Sequence, residues 1–493
     1  MRSTRPAAVI VLAAGEGTRM RSAVPKVLHP IAGRPLLGHA LAAARGLGAD
    51  QLVVVVRRGA QAVVDYLVET APDAIVAVQD DVPGTGRAAQ CALDALEPGS
   101  GTVVVTYGDV PLLTTATLAD LVAAHEERSN AVTVLSAHVP DPFGYGRVLR
   151  ATEGSGRDAV VAIVEQKDAT EDQAALTEIN TGIYAFDEAV LREALGRVGR
   201  NNAAGEMYLT DVVAIAHGDG GRVGAVVLAD AREAEGVNDR SQLAAQGRFL
   251  RDRLVEAWMR SGVSVIDPAT TWVDAGVRLD ADVTLLPGTS LLGTTVVLTG
   301  STVGPDTTLR DCTIGPDAEV VRSHAIGAVV GPRAQVGPFS FLRPGTILDE
   351  GAKVGAFVET KNAHIGAGSK VPHLSYVGDA TIGVDTNIGA ATVFVNYDGV
   401  DKHRTVVGDH VRIGSDTMLV APITVGDGAY TAAGSVITED IPPGALGVGR
   451  ARTRMIDKWV DRKRAGTQSA QAAAEARARS ARNDEQQGEE PGL

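Results

Sequence analysis

Two kinds of hydrophobic pattern divide the chain. Up to about residue 235, β-branched runs alternate with longer mixed stretches. The runs are AAVIVLA (7–13), QLVVVVR (51–57), AIVAVQ (74–79), GTVVVTYGD (101–109), AVTVLSAHV (131–139) and VGAVVLA (223–229). Stretches such as LLGHALAAARGLG (36–48) and TLADLVAAHEERS (117–129) read as helices between them. That alternation predicts an α/β domain with a largely parallel sheet. Over 238–262, Leu243, Leu250, Leu254 and Trp258 recur at helical spacing, which predicts one connecting helix.

Beyond it the period changes to six. Val273, Leu279, Leu285, Leu291, Val297, Val303 and Leu309 are six apart, and so are Val330, Val336, Leu342, Leu348 and Val354. The same step links Ile365, Val371 and Val377, then Val407, Ile413, Leu419 and Val425. One aliphatic every sixth residue suits neither an amphipathic helix nor a simple strand. It predicts a hexapeptide parallel β-helix, with one aliphatic per side pointing inward and small residues at the corners. The repeat breaks between Ile388 and Val407, where a loop should leave the solenoid on a binding face. The expected units are 1–237, a linker helix at 238–262, the repeat domain at 263–450, and 451–493 as a short helix followed by a polar, low-complexity, disordered tail.

Composition narrows the function. A net charge of −14 over 493 residues argues against a nucleic-acid binder, though local cations and backbone N–H groups can still hold phosphate. Only Cys91 and Cys312 are present, so no disulfide framework is expected and a reducing compartment fits. No apolar stretch reaches the ~20 residues of a membrane span, and MRSTRPAAVIVLAAG reads as a first strand. A cytoplasmic protein without membrane insertion is the expectation.

The stretch VLAAGEGTRM (11–20) follows the first strand. Its glycines let backbone N–H groups approach phosphates, but it is neither a Walker A loop nor a dinucleotide fingerprint, since Met20 stands where a third glycine would be. On glycines alone, phosphate binding and a tight structural turn remain level. Arg19 and Lys26 add two cations. Asp109, in YGDVPL, lies at the C-terminal end of a strand, where open α/β sheets place ligands, and is a candidate Mg²⁺ ligand.

LAAGEGTRM with PK, GTG (84–86), YGDVPL (107–112), GYGR (144–147), VEQKDAT (164–170), NTGIYAF (180–186) and GVNDR (236–240) resemble the sugar-1-phosphate nucleotidylyltransferases, which have a Rossmann-like nucleotidyltransferase domain. Joined to a hexapeptide β-helix with FLRPGT (341–346), ETKN (359–362), PHLSYVGD (372–379) and NYDG (396–399), the chain is similar over about residues 7–450 to a bacterial bifunctional family. Its members are N-acetylglucosamine-1-phosphate uridylyltransferases and glucosamine-1-phosphate N-acetyltransferases. The resemblance implies a left-handed β-helix, a homotrimer with acetyl-CoA sites between subunits, and a role in supplying UDP-N-acetylglucosamine for the cell wall.

In the first domain the resemblance implies a nucleotide site of Leu12, Ala13, Ala14, Gly15, Lys26, Gln79, Gly84, Thr85, Tyr107, Gly108 and Asp109. Arg19 and Lys26 would act on the phosphates, and Gln79, Gly84 and Thr85 on uracil. Mg²⁺ would lie on Asp109 and Asn238, and the acetylamino sugar on Gly146, Glu165 and Asn180. The span between Gly146 and Glu165 is longer than the family's usual one, as a Gly/Ser insertion in a hairpin would make it.

Acetyl transfer needs a base for the amine and a donor for the oxyanion, and His is the natural base near neutral pH. His373 occupies a repeat corner where a small residue is usual. By resemblance it is the catalytic base, with Glu359 orienting it. Arg343 and Lys361 would bind the sugar phosphate, and Tyr376 and Asn387 the sugar and its amine. Ala390, Asn396, Tyr397, Ser415, Ala433 and Arg450 would line the acetyl-CoA groove. Trp459 could stack on the CoA adenine or cover the end of the β-helix. Two other readings stand beside this one: a single-activity nucleotidylyltransferase with an inert β-helix, and a non-catalytic trimeric scaffold.

Overall fold

The computed structural model describes residues 5–151 and 159–487. The core of the proposed Gly/Ser insertion, 152–158, and the last six residues lie outside the described residues.

The first domain is a nine-stranded sheet. Its strands are β1 (Ala8–Leu12), β2 (Gln51–Arg57), β3 (Ile75–Gln79), β4 (Thr102–Tyr107), β5 (Val132–His138), β6 (Arg147–Arg150), β7 (Val160–Val164), β8 (Glu178–Asp187) and β9 (Val223–Leu228). The main path runs β9-β5-β8-β4-β1-β2-β3, with β6 and β7 attached beside β8. Four of the six neighbour pairs on the main path are parallel, but β8 is antiparallel to both β4 and β5, and the β6–β7 hairpin is antiparallel too. Every residue of β1 is buried, because helices cover both faces and a central parallel strand then has no solvent side. Helices α1 (Leu36–Arg45) and α3 (Thr115–Glu127) share one core layer; α2 (Thr85–Ala95) belongs to the other.

A 21-residue helix, Arg240–Arg260, joins the domains, N-capped by the Asp239 carboxylate. Its Leu250 packs with Met20, Ile31 and Leu36 of the first domain, and its Val255 belongs to the core of the second. One helix is thus seated in both cores.

All nineteen aliphatics read at six-residue spacing are buried in one continuous core. Coils stack in parallel with partners 18 residues apart, as in Val273↔Leu291↔Leu309, so three six-residue sides make one turn. At Ala380↔Thr405 the step grows to 25, and the surplus leaves as the loop around Asn396–Arg404. Low aromatic content follows from this design, since a core one aliphatic deep per side has little room for rings.

The expected short helix is followed by a second one rather than directly by a disordered tail, and the end of the tail, 488–493, lies outside the described residues. Trp459–Lys463 and Gln468–Gln487 are helices, and Arg477 bonds Asp461 across them. Ala, Glu and Arg dominate AQAAAEARARSAR, and their helix propensity outweighs the polarity that suggested disorder. No described helix is long and apolar enough to cross a membrane.

Candidate functional sites

A cleft of about 790 Å³ opens at the C-terminal ends of β1, β2 and β3. Its lining includes the stretch Leu12–Glu16, Lys26, the loop from Gln79 to Thr85, Tyr107 and Asp109. Two glycines of the first loop have separate tasks. A Cβ on Gly15 would meet nothing within 4 Å, so that backbone is open to a ligand. Gly17 has φ +65°, and a Cβ there would lie 2.5 Å from Lys26 Cβ, so the loop passes over Lys26 only as glycine. Gly108 is likewise tight, its N–H donating to Leu12 O at 2.9 Å.

Lys26, Asp109 and Asn238 meet although they are far apart in the chain. Val237 N–H donates to Asp109 O at 2.9 Å, which brings the start of the linker helix beside the end of β4. The Lys26 ammonium donates to Asp109 Oδ2 and, at 3.3 Å, to Asn238 Oδ1. The side chains of Lys26 and Asp109 are mostly buried. A carboxylate and an amide oxygen around one cation are the hard donors a Mg²⁺ takes, with phosphates and water completing its shell. The ammonium stands where such an ion would be held, so the residues fit it.

The loop from Gln79 to Thr85 is braced from behind. Gln79 Nε2 donates to Val82 O (3.0 Å) and Gly84 O (3.2 Å), and Thr85 Oγ1 accepts from Leu209 N–H. Gly84 has φ +119°, and a Cβ would strike Met207 O at 2.2 Å. Arg19 differs from expectation: it is exposed on a one-turn 3₁₀ helix, outside the lining of the cleft. Arg57 and Arg58 line it instead, paired with Glu16 (3.1 Å) and Asp81 (3.3 Å). Their signal was present in QLVVVVRR, at the ligand end of a strand.

Gly146, Glu165 and Asn180 converge on the β6–β7 hairpin. Asn180 N–H donates to Gly146 O at 2.8 Å, and a Cβ on Gly146 would lie 3.4 Å from Glu165 Oε1. Burial pushes the Glu165 carboxyl above its ordinary value, against a weak hydrogen bond from Thr210 (3.4 Å). Burial also raises Tyr107, which stays a neutral phenol between Thr85 and Gly182.

The second group lies along the β-helix. His373, Ala390, Ser415 and Ala433 follow one another up a single edge. Ala391 N–H donates to His373 O, Asp416 N–H to Ala390 O and Gly434 N–H to Ser415 O. Rungs are ~4.8 Å apart, so these residues form a straight track. Arg450 continues it, its Cδ 4.0 Å from where a Gly434 Cβ would be. The His373 side chain is exposed and has no hydrogen-bond partner among the described residues. By contrast, buried His39 and His125 bond Ile31 O and Thr133 Oγ1 and are structural. Glu359 does not orient His373 here: it accepts from Arg343 at 3.0 Å, because Arg343 stands one coil below and offers a fixed cation.

Lys361 lies 3.6 Å from Asp379 and faces Lys402, a residue the sequence did not single out. Hydrogen bonding and like charge from Lys361 hold the Lys402 ammonium below its ordinary value, and Arg343 adds to this. Three cations meet two carboxylates, Glu359 and Asp379, which leaves a net positive field with Lys402 beside Lys361. Tyr376 and Asn396 meet beside it at 3.5 Å, and Asn387 is half-buried on the next coil. Tyr397 is exposed in the loop. Arg464 covers the Trp459 ring at 5.1 Å, which gives that ring a partner within the tail itself.

The description "MobA-like NTP transferase domain" matches residues 9–172, and "Bacterial transferase hexapeptide (six repeats)" matches 404–439. Full-length relatives, each named "Bifunctional protein GlmU", are similar along nearly the whole chain. The protein of Kineococcus radiotolerans is 61% identical over 484 residues, 98% of this chain and 96% of that one. That of Pseudarthrobacter chlorophenolicus is 57% identical over 474 residues, 96% of each chain. That of Thermobifida fusca is 57% identical over 484 residues, 97% of this chain and 99% of that one. Both halves are thus matched together, and the chain belongs to the bifunctional GlmU family, enzymes of UDP-N-acetylglucosamine biosynthesis that combine a uridylyltransferase with an acetyltransferase.

Proposed function

We propose that the cleft of the first domain transfers uridylyl from UTP to N-acetylglucosamine-1-phosphate, and that the edge track of the β-helix transfers acetyl from acetyl-CoA to glucosamine-1-phosphate. The acetylated product of the second site is the substrate of the first.

In the cleft, the attacking sugar phosphate oxygen is already anionic at neutral pH, so no general base is required. The barrier is electrostatic: two anions must meet in line. Open backbone at Gly15 admits the phosphates, and Lys26 supplies positive charge at the transferring group, while Arg19 can reach it only by swinging in from the surface. Asp109 and Asn238 would hold Mg²⁺, whose chemistry when bound is to neutralise charge on phosphate oxygens. Gly84 and Thr85 border uracil; Gln79, with both amide hydrogens spent on the loop, offers it only a carbonyl. Gly146, Glu165 and Asn180 seat the sugar.

At the β-helix, Arg343, Lys361 and Lys402 hold the sugar phosphate, while Tyr376 and Asn387 place the amine. His373 takes the proton as the amine attacks the thioester carbonyl. The acetyl-CoA arm runs along Ala390, Asn396, Tyr397, Ser415, Ala433 and Arg450. A homotrimer completes this site. Phe339, Phe357 and Leu374 stack up one corner next to His373, each more than half exposed and each at positive φ, a backbone conformation costly for such residues. The first two rings lie 5.4 Å apart, nearly parallel. A neighbouring subunit covering this ridge would offset the cost and enclose His373. A cytoplasmic location accords with free Cys91 and Cys312.

The observation that carries the first assignment is Lys26 bridging Asp109 and Asn238 inside the glycine-loop cleft. Measuring both half-reactions on two variants tests the whole scheme. Asp109→Ala should lower uridylyl transfer about 10³-fold and leave acetyl transfer intact. His373→Ala should lower acetyl transfer by about 10²–10⁴-fold and leave uridylyl transfer intact. If either variant loses the other activity instead, the assignment is reversed.

A further inference from the structure

The acetyltransferase reading leaves one buried acid without a task. Asp379 sits at the corner of a coil with φ +49°, directly above Asn362 (φ +45°). Its side chain is 13% exposed. Oδ1 accepts from Asn362 Nδ2 at 2.8 Å, and Oδ2 accepts from Asn396 Nδ2 at 2.5 Å and lies 3.6 Å from Lys361 Nζ. One carboxylate therefore touches a lysine of the sugar-phosphate group and an asparagine of the acetyl-CoA loop.

The geometry fixes the Asn396 amide. Its nitrogen faces a carboxylate and the Tyr376 hydroxyl (3.5 Å); turned over, its oxygen would face that carboxylate. The carbonyl Oδ1 is then the end left free, unbonded among the described residues and not closed off from solvent. Neighbouring Gly378 makes the arrangement possible, since a Cβ there would lie 2.4 Å from the Tyr376 hydroxyl and 2.7 Å from Asn396 Nδ2. Burial pushes the Asp379 carboxyl up, but Asn362, Asn396 and Lys361 outweigh it and leave it below its ordinary value. The acid is therefore charged at neutral pH and can anchor both neighbours.

We propose that Asp379 is a positioning residue for acetyl transfer: its carboxylate turns the Asn396 carbonyl outward to accept an amide N–H of acetyl-CoA, and it balances the charge of Lys361 until a sugar phosphate arrives. This rests on the acetyltransferase reading of the β-helix.

The test is Asp379→Asn, which keeps shape and tolerates positive φ, assayed beside Asn396→Ala with both substrates varied. A charge-assisted hydrogen bond is lost, so kcat/KM for acetyl-CoA should fall about 10- to 100-fold. KM for glucosamine-1-phosphate should stay level or drop, because a negative charge beside Lys361 is gone. Uridylyl transfer and melting temperature should not move. A purely structural role would instead raise both KM values and lower the melting temperature, and that outcome overturns the proposal, as does unchanged kinetics in Asp379→Asn while Asn396→Ala is impaired. If Asn396→Ala also leaves acetyl-CoA kinetics untouched, the reading of the site itself falls.

Discussion

The two sites solve opposite problems of enclosure. In the α/β domain a cleft of about 790 Å³ encloses Lys26 and Asp109, both mostly buried, and Lys26, Arg57 and Arg58 of the same chain line it. On the β-helix, His373 and Tyr397 stand exposed on an edge, beside an apolar ridge of Phe339, Phe357 and Leu374. A doubly wound sheet creates a crevice wherever strands end under helices. A solenoid has only flat sides and edges, so a water-excluding site on it must be closed by something else. The difference teaches that the first activity should be a property of the subunit and the second a property of the assembly.

The largest effect that could break this comparison comes from the ridge. Phe357→Asp with Leu374→Asp should dissociate the assembly and lower acetyl transfer about 100-fold, while uridylyl transfer changes less than about twofold. Sedimentation velocity and the two half-assays check it. Loss of both activities together would show that the cleft too depends on assembly.

Gly84→Ala sharpens the other side. The added Cβ meets Met207 O in a conformation that alanine rarely adopts, so the Gln79–Thr85 loop must move. The expected cost is about 2–3 kcal/mol in urea unfolding with about a tenfold rise in KM for UTP, and acetyl transfer unaffected.

The smallest effect is one of pH. Burial, helped by Asp168, Asp211 and Glu206, makes the folded state hold the Glu165 proton more tightly than the unfolded chain does. The stability this provides is full below the ordinary carboxyl pKa of ~4.3 and is lost as pH rises through the raised folded value. Glu165→Gln cannot ionise, so it should melt about 2 °C above wild type at pH 8 and match it near pH 4. Equal melting at both pH values would remove the buried charge from the account.

What the sequence made legible depends on how local the contacts are. Hexad aliphatics such as Leu285 and Val303 meet one coil away, so their spacing is the fold. Strands β1 and β4 were equally plain, because burial on both faces writes itself as unbroken Val/Ile runs. The antiparallel sense of β8 was not, since nothing in NTGIYAF encodes strand direction. Asp109 and Asn238 could be paired only by resemblance, for the Val237 N–H to Asp109 O bond that joins them spans most of a domain. Arg19 looked equivalent to Lys26 in sequence, but Gly17 folds the loop onto Lys26 and leaves Arg19 outside. Lys402 carried no signal, and Asp379 only closed the motif PHLSYVGD without a stated role, because their meaning arises from coils stacked above and below.

Mixing measures the central claim, two separable sites on one chain, most directly. Asp109→Ala and His373→Ala proteins would be combined with glucosamine-1-phosphate, acetyl-CoA, UTP and Mg²⁺, and UDP-N-acetylglucosamine followed over time. The account predicts that neither variant alone forms product at more than about 1% of the wild-type rate, whereas the mixture does so at a rate within about threefold of wild type. A mixture as inactive as its components would contradict it.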